Sequence, residues 1–151
     1  ARWFQKQGIE KVHPLNHGGP ANFDFGKARA VNAIHSSSFP DGSYAGNPLG
    51  FLLTSTEGNF YYAGDTALTM DMQLIPRWAK LNFALLPIGG NYTMDVADAI
   101  IASDFIQCNT IIGVHYNTFA IIKIDKEKAI ADLKAAGKTL LLPGIGETIT
   151  V

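Results

Sequence analysis

Apolar residues fall into short runs broken by glycine, asparagine and proline, and the spacing changes character along the chain. In the first half the runs read as strands. Residues 22–25 and 27–34 flank a tight turn at Gly26, and the second run alternates weakly, with Ala28, Ala30, Asn32 and Ile34 against Arg29, Val31 and Ala33. Residues 49–54 and 60–63 flank Glu57-Gly58-Asn59 and read as a hairpin. Residues 9–15 are a further strand candidate, followed by a turn at 16–20. Residues 1–7 resemble the last turns of a helix stopped by Gly8.

In the second half, strand runs at 83–87, 110–115, 139–142 and 147–151 alternate with helical spacing. A short helix is expected over 68–75, cut by Pro76. Another is expected over 95–107, with Val96, Ile100 and Ser103 on an apolar face flanked by Ala97, Ile101 and Phe105; Asp95 and Asp98 in its first turn suit the helix dipole. Residues 125–136 form a third, with Ala129, Ile130, Leu133 and Ala136 inward and Gly137 closing it. Residues 36–48 are a polar loop of the length that usually carries function. The pattern predicts a layered α/β fold in one domain spanning 1–151, with no repeat or linker.

Composition narrows the classes. The 151 residues are 47% hydrophobic, enough for a core, and no run approaches a membrane span. The net charge is −1, and Lys123, Lys126 and Lys128 are interleaved with Asp125 and Glu127, so no basic block favours nucleic acid. The single cysteine, Cys108, excludes an internal disulfide, fits a cytoplasmic setting and reads as a buried small hydrophobe. There is no initiator methionine and no signal-peptide pattern, so the chain is expected to begin inside a domain.

Three potential ligands share one placement: His35, Asp65 and His115 each follow an apolar strand run, where a rigid strand end meets an open loop. Imidazole and carboxylate suit zinc and related divalent ions. The ordinary alternatives are a hydrogen-bonded structural histidine and, for Asp65 in Gly-Asp-Thr, a helix N-cap. The separations of 30 and 50 residues make no local motif. His13 and His17 read as surface residues.

Longer words add to this. Ala33-Ile34-His35-Ser36-Ser37-Ser38, Tyr62-Ala63-Gly64-Asp65-Thr66, Leu86-Pro87-Ile88-Gly89-Gly90-Asn91-Tyr92-Thr93-Met94 and Gly113-Val114-His115-Tyr116-Asn117-Thr118-Phe119 occur in that order, ahead of a closing Pro143-Gly144-Ile145-Gly146-Glu147-Thr148. Together they resemble the metal-dependent hydrolase branch of the metallo-β-lactamase superfamily, near the ascorbate-phosphate lactonases. The resemblance implies an αββα sandwich with a two-metal site at one sheet edge, holding zinc or else manganese, iron or nickel. It casts His35 as a ligand of the first metal, Asp65 as the bridging carboxylate that also orients the reacting water, and His115 as the late histidine of the second metal. Ser36, Asn91, Tyr92 and Asn117 would lie near the pocket mouth, touching substrate or supporting the histidines.

The family's His-x-His-x-Asp-His motif does not occur in this sequence: no two histidines are separated by one residue. The expectation is therefore a domain incomplete at its N-terminal side, inactive alone, whose bare sheet is covered by the N-terminal part or by a second copy. The leading reading is a hydrolase acting on an ester, lactone, phosphodiester or amide-like small-molecule substrate; the alternative is a non-catalytic binding or assembly module. A flavodoxin-like nucleotide domain fares poorly, because Gly144-Ile145-Gly146 does not open a helix.

Overall fold

The computed structural model describes residues 1–151. Its centre is a seven-stranded sheet whose spatial order follows the sequence: β1 (Ala21–Phe23), β2 (Gly26–Asn32), β3 (Leu49–Thr54), β4 (Asn59–Tyr62), β5 (Phe83–Pro87), β6 (Thr110–Val114) and β7 (Thr139–Leu141). β1 to β4 form an antiparallel meander, and β4 to β7 are parallel. Parallel neighbours need crossovers. These are a 3-10 turn (Met70–Leu74) running into α2 (Ile75–Trp78), then α3 (Val96–Phe105) and α4 (Lys126–Ala135). A short helix, α1 (Arg2–Lys6), stands at the start. This topology sends β2, β4, β5, β6 and β7 in one direction, so their C-terminal ends share one rim.

The period-two alternation of the strands sorts residues by face. Leu52, Tyr61, Ala84, Leu86, Ile111 and Leu140 are buried on one face, against Met72, Ile75, Ala99, Ala102, Ala129 and Leu133 from the crossovers. Burying each large side chain there stabilises the fold by roughly 1.5–3 kcal/mol. Register places Phe51, Leu53, Phe60, Tyr62, Phe83, Leu85 and Ile112 on the opposite face. None of these is fully buried, Tyr62 is 40% exposed, and Phe60 stacks on Phe83 at 5.0 Å. α2, α3 and α4 all leave this face open. The chain thus builds one sheet and one helical layer, half of the αββα arrangement expected.

Several elements differ from expectation. Residues 9–15 and 147–151 form no strand. The helix over 68–75 is replaced by a 3-10 turn capped by Thr69, whose hydroxyl accepts from the Asp71 amide. Pro76 opens α2 rather than ending a helix, a position where its missing N–H costs nothing. In α3 the buried side is Ala99, Ala102 and Ser103, while Ile101 is exposed. In α4 only Ala129 and Leu133 are buried; Ile130 and Ala136 face solvent. Small residues at these contacts let the helices approach the sheet closely. Cys108 is buried as expected, and burial pushes its thiol above the ordinary range. No helix is long and apolar enough to cross a membrane.

Candidate metal centre

The shared rim gathers the candidate ligands from separate strands. Asp65 follows β4 and His115 follows β6, with β5 between them. Two strand spacings amount to about 9.6 Å, yet the side chains close that gap: His115 Nε2 lies 3.7 Å from Asp65 Oδ2. Closure depends on the end of β5. Gly89 sits where a Cβ would be 2.3 Å from the His115 carbonyl oxygen, so only glycine allows that approach.

At 3.7 Å the Asp65–His115 pair is too far apart for a hydrogen bond. It matches two donors on a common ion: bonds of about 2.0–2.2 Å at tetrahedral or wider angles put their ends about 3.3–3.8 Å apart. Neither group has other work. His115 Nδ1 is buried without a partner. Asp65 makes no side-chain hydrogen bond and caps nothing, since the following turn is capped by Thr69. His115 also holds a left-handed backbone, φ +55°, as do Asn91 (φ +59°) and Asn117 (φ +60°) on the same rim. For histidine that conformation costs about 1–2 kcal/mol, and strain of this kind concentrates at functional sites.

His35 reaches the rim differently. The Ile34 amide donates to Thr66 Oγ1 at 2.9 Å, and the Ala67 amide donates to the Ile34 carbonyl at 3.0 Å. The loop after β4 is thereby stitched to the chain beyond β2, next to His35. Its Nδ1 pairs with the Ser36 carbonyl at 2.8 Å. A carbonyl only accepts, so Nδ1 carries the proton and Nε2 keeps its lone pair, the usual way a backbone group prepares a histidine ligand. The ring nevertheless stands apart from the other two side chains: no three His, Cys, Asp or Glu groups come together closely enough to hold an ion. The structure brings together Asp65 and His115 and leaves His35 beside them.

A model of the Beta-lactamase superfamily domain matches residues 1–116. A UPF0173 metal-dependent hydrolase of Christiangramia forsetii is 58% identical over 99% of this chain and 66% of its own length. Another from Bacillus cereus is 41% identical over the whole chain and 67% of its own. This chain is a member of the UPF0173 metal-dependent hydrolases, within the metallo-β-lactamase superfamily. It spans about two thirds of the length of these curated relatives. Among solved structures, Igni18, a metallo hydrolase from Ignicoccus hospitalis, superposes with TM-score 0.85 at 32% identity, over 98% of this chain and 64% of that one. An isothiocyanate hydrolase from Delia radicum gut bacteria shares the fold, with TM-score 0.76 at 19% identity.

In this UPF0173 chain, the residues expected near the pocket mouth take unequal parts. Asn91 and Tyr92 are exposed on the rim loop. Asn117 Oδ1 accepts from the Ile124 amide at 2.8 Å, which ties down the loop after His115. Ser36 acts through its carbonyl. Sequence reasoning passed over Thr66 as a structural centre. It is fully buried; its hydroxyl serves Ile34 and its carbonyl accepts from Met94 N at 2.9 Å, so it joins three rim loops. Its only signal was its place after Gly-Asp.

Proposed function

We propose that this chain supplies one side of the metal centre of a hydrolase, with Asp65, His115 and His35 as its donors. The observation that carries the reading is the Asp65–His115 pair, 3.7 Å apart and otherwise unpartnered. Asp65 offers two oxygens and so can serve two ions. His115 supplies a nitrogen beside it, and His35 a nitrogen freed by the Ser36 carbonyl. Bound divalent ions, zinc first, would lower the pKa of water from about 15.7 to about 7 and polarise the bond under attack. The ends of strands β2, β4 and β6 hold the donors against drift. The exposed Asn91 and Tyr92 stand where an ester, lactone, phosphodiester or amide-like small molecule would approach. A cytoplasmic location belongs to the same reading, supported by a lone cysteine kept as a buried thiol.

Three donors are too few for two ions, since a zinc site normally takes at least three protein ligands. The reading therefore includes a complementing polypeptide, the N-terminal part of the same domain or a second copy, laid on the open apolar face. Isothermal titration of the isolated chain should give only weak zinc binding, lost in Asp65→Asn and in His115→Asn. Tight stoichiometric binding by the isolated chain, or weak binding indifferent to both substitutions, overturns the assignment. The lack of a three-ligand cluster also favours a second reading, a non-catalytic binding or assembly module. Reconstitution decides: zinc-dependent ester or phosphodiester hydrolysis on adding the complementing polypeptide supports the enzyme, and a stable but inert complex supports the module.

A further inference from the structure

The helix side of the sheet carries a cleft that starts at the pole opposite the rim and runs along β2 to its last residue, Asn32. Lys27, Arg29 and Val31 alternate onto that side of β2 and form its floor. The loop at 17–20 makes one wall, and Leu74, Arg77 and Trp78 make the other. The cleft consists of two cavities of 440 Å³ that share Arg29 and Trp78. Each has the volume of a small-molecule site, and the floor from Lys27 to Val31 runs about 14 Å at strand rise.

The two lobes differ in chemistry. The lower lobe gathers Lys27, Arg29 and Arg77 with the polar Thr54 and Asn59, and no carboxylate lines it. None of these three cations forms a salt bridge within the chain. Like charges collected without counter-ions raise the local potential, and a bound anion relieves it. The upper lobe is lined by Val31, Leu74 and the face of Trp78, and the Asn32–Asp71 hydrogen bond of 2.9 Å lies at its far end. Arg29 joins the lobes. Its guanidinium lies 4.3 Å over the Trp78 ring and donates to the Gly18 carbonyl at 2.6 Å, so the cation is already fixed across the cleft.

The geometry points to a binding site for a small organic anion, a phosphate or phosphonate carrying an apolar body. The anionic group sits among Lys27, Arg29 and Arg77, where the guanidinium forks suit tetrahedral oxyanions. The apolar body lies along Trp78 toward Leu74 and Val31. The site is distinct from the proposed metal centre: it lies on the helix side, and its anion-binding lobe sits at the opposite end of β2 from His35.

Trp78 is the natural reporter. The chain has two tryptophans, so Trp3→Phe leaves Trp78 alone. Phenylphosphonate, which contains no ester to hydrolyse, should change its fluorescence saturably, with a midpoint below about 1 mM. Inorganic phosphate should bind at least about tenfold more weakly, and 0.5 M salt should weaken both. The double variant Lys27→Glu/Arg77→Glu alters exposed side chains; it should lose at least about tenfold in affinity, with its circular dichroism and its zinc response unchanged. No saturable signal, equal affinity for inorganic phosphate, or undiminished binding by the folded double variant would each overturn the proposal.

Discussion

His115 combines two demands that few side chains meet together. Its backbone lies in the left-handed region, which histidine and asparagine enter more readily than bulky residues do. Its ring supplies the nitrogen facing Asp65. His115→Asn keeps the backbone tolerance and removes the imidazole. Thermal unfolding should shift by less than about 1 kcal/mol, while zinc binding falls at least about tenfold; a large loss of stability would mean that the ring is structural. That these residues are candidate ligands is legible in the sequence, because imidazole and carboxylate after apolar runs are visible without coordinates. What could not be read was pairing. Nothing in the sequence says that Asp65 and His115 meet while the His35 ring turns to its neighbour's carbonyl, since that depends on side-chain direction at the rim.

Among the elements, the parallel strands were the most readable, because β5 and β6 are short, mainly apolar runs, each preceded by an asparagine. The elements that failed did so for local reasons. Residues 9–15 contain apolar positions, but Pro14 removes a donor and no partner strand lies alongside. Residues 68–75 have helical spacing, but Thr69 caps a 3-10 turn and Pro76 starts the next helix. The inward face of α3 is legible in part: Ser103 is buried and Val96, Ile100 and Phe105 pack against the core, but the fully buried contacts also come from Ala99 and Ala102, and Ile101 is exposed. Thr66 shows how elements are joined at the rim. Thr66→Val keeps the shape and removes the hydroxyl that accepts from Ile34 N, losing a part-buried hydrogen bond at a cost of about 1 kcal/mol. Denaturant unfolding should register that loss, and the loop bearing Asp65 should exchange its amides faster. An unchanged midpoint would show that Thr66 does not bind the loops together.

For the molecule as a whole, the decisive feature is the asymmetry of the sheet. One face carries the core; on the other, aromatic and branched side chains stay only half-buried and Tyr62 is exposed. The layered α/β class followed from the alternation of elements, but a half-open sheet could only be inferred, because strand spacing does not say what lies across from a strand. Concentration-dependent sedimentation should reveal self-association of the isolated chain. Phe51→Lys with Phe83→Lys should weaken it at least about tenfold while the helix-side core keeps the chain folded; a chain that stays monomeric at high concentration would contradict an apolar face in need of cover.

The common direction of β2, β4, β5, β6 and β7 also divides the surface between uses. The hairpin tips at 24–25 and 55–58 lie at the far pole, beyond the opposite strand ends. A fluorescent tag, an affinity handle or a surface tether fixed at 55–58 would leave the loops carrying the proposed donors facing outward, so immobilised chain could be screened for ions and reactants without reorienting it.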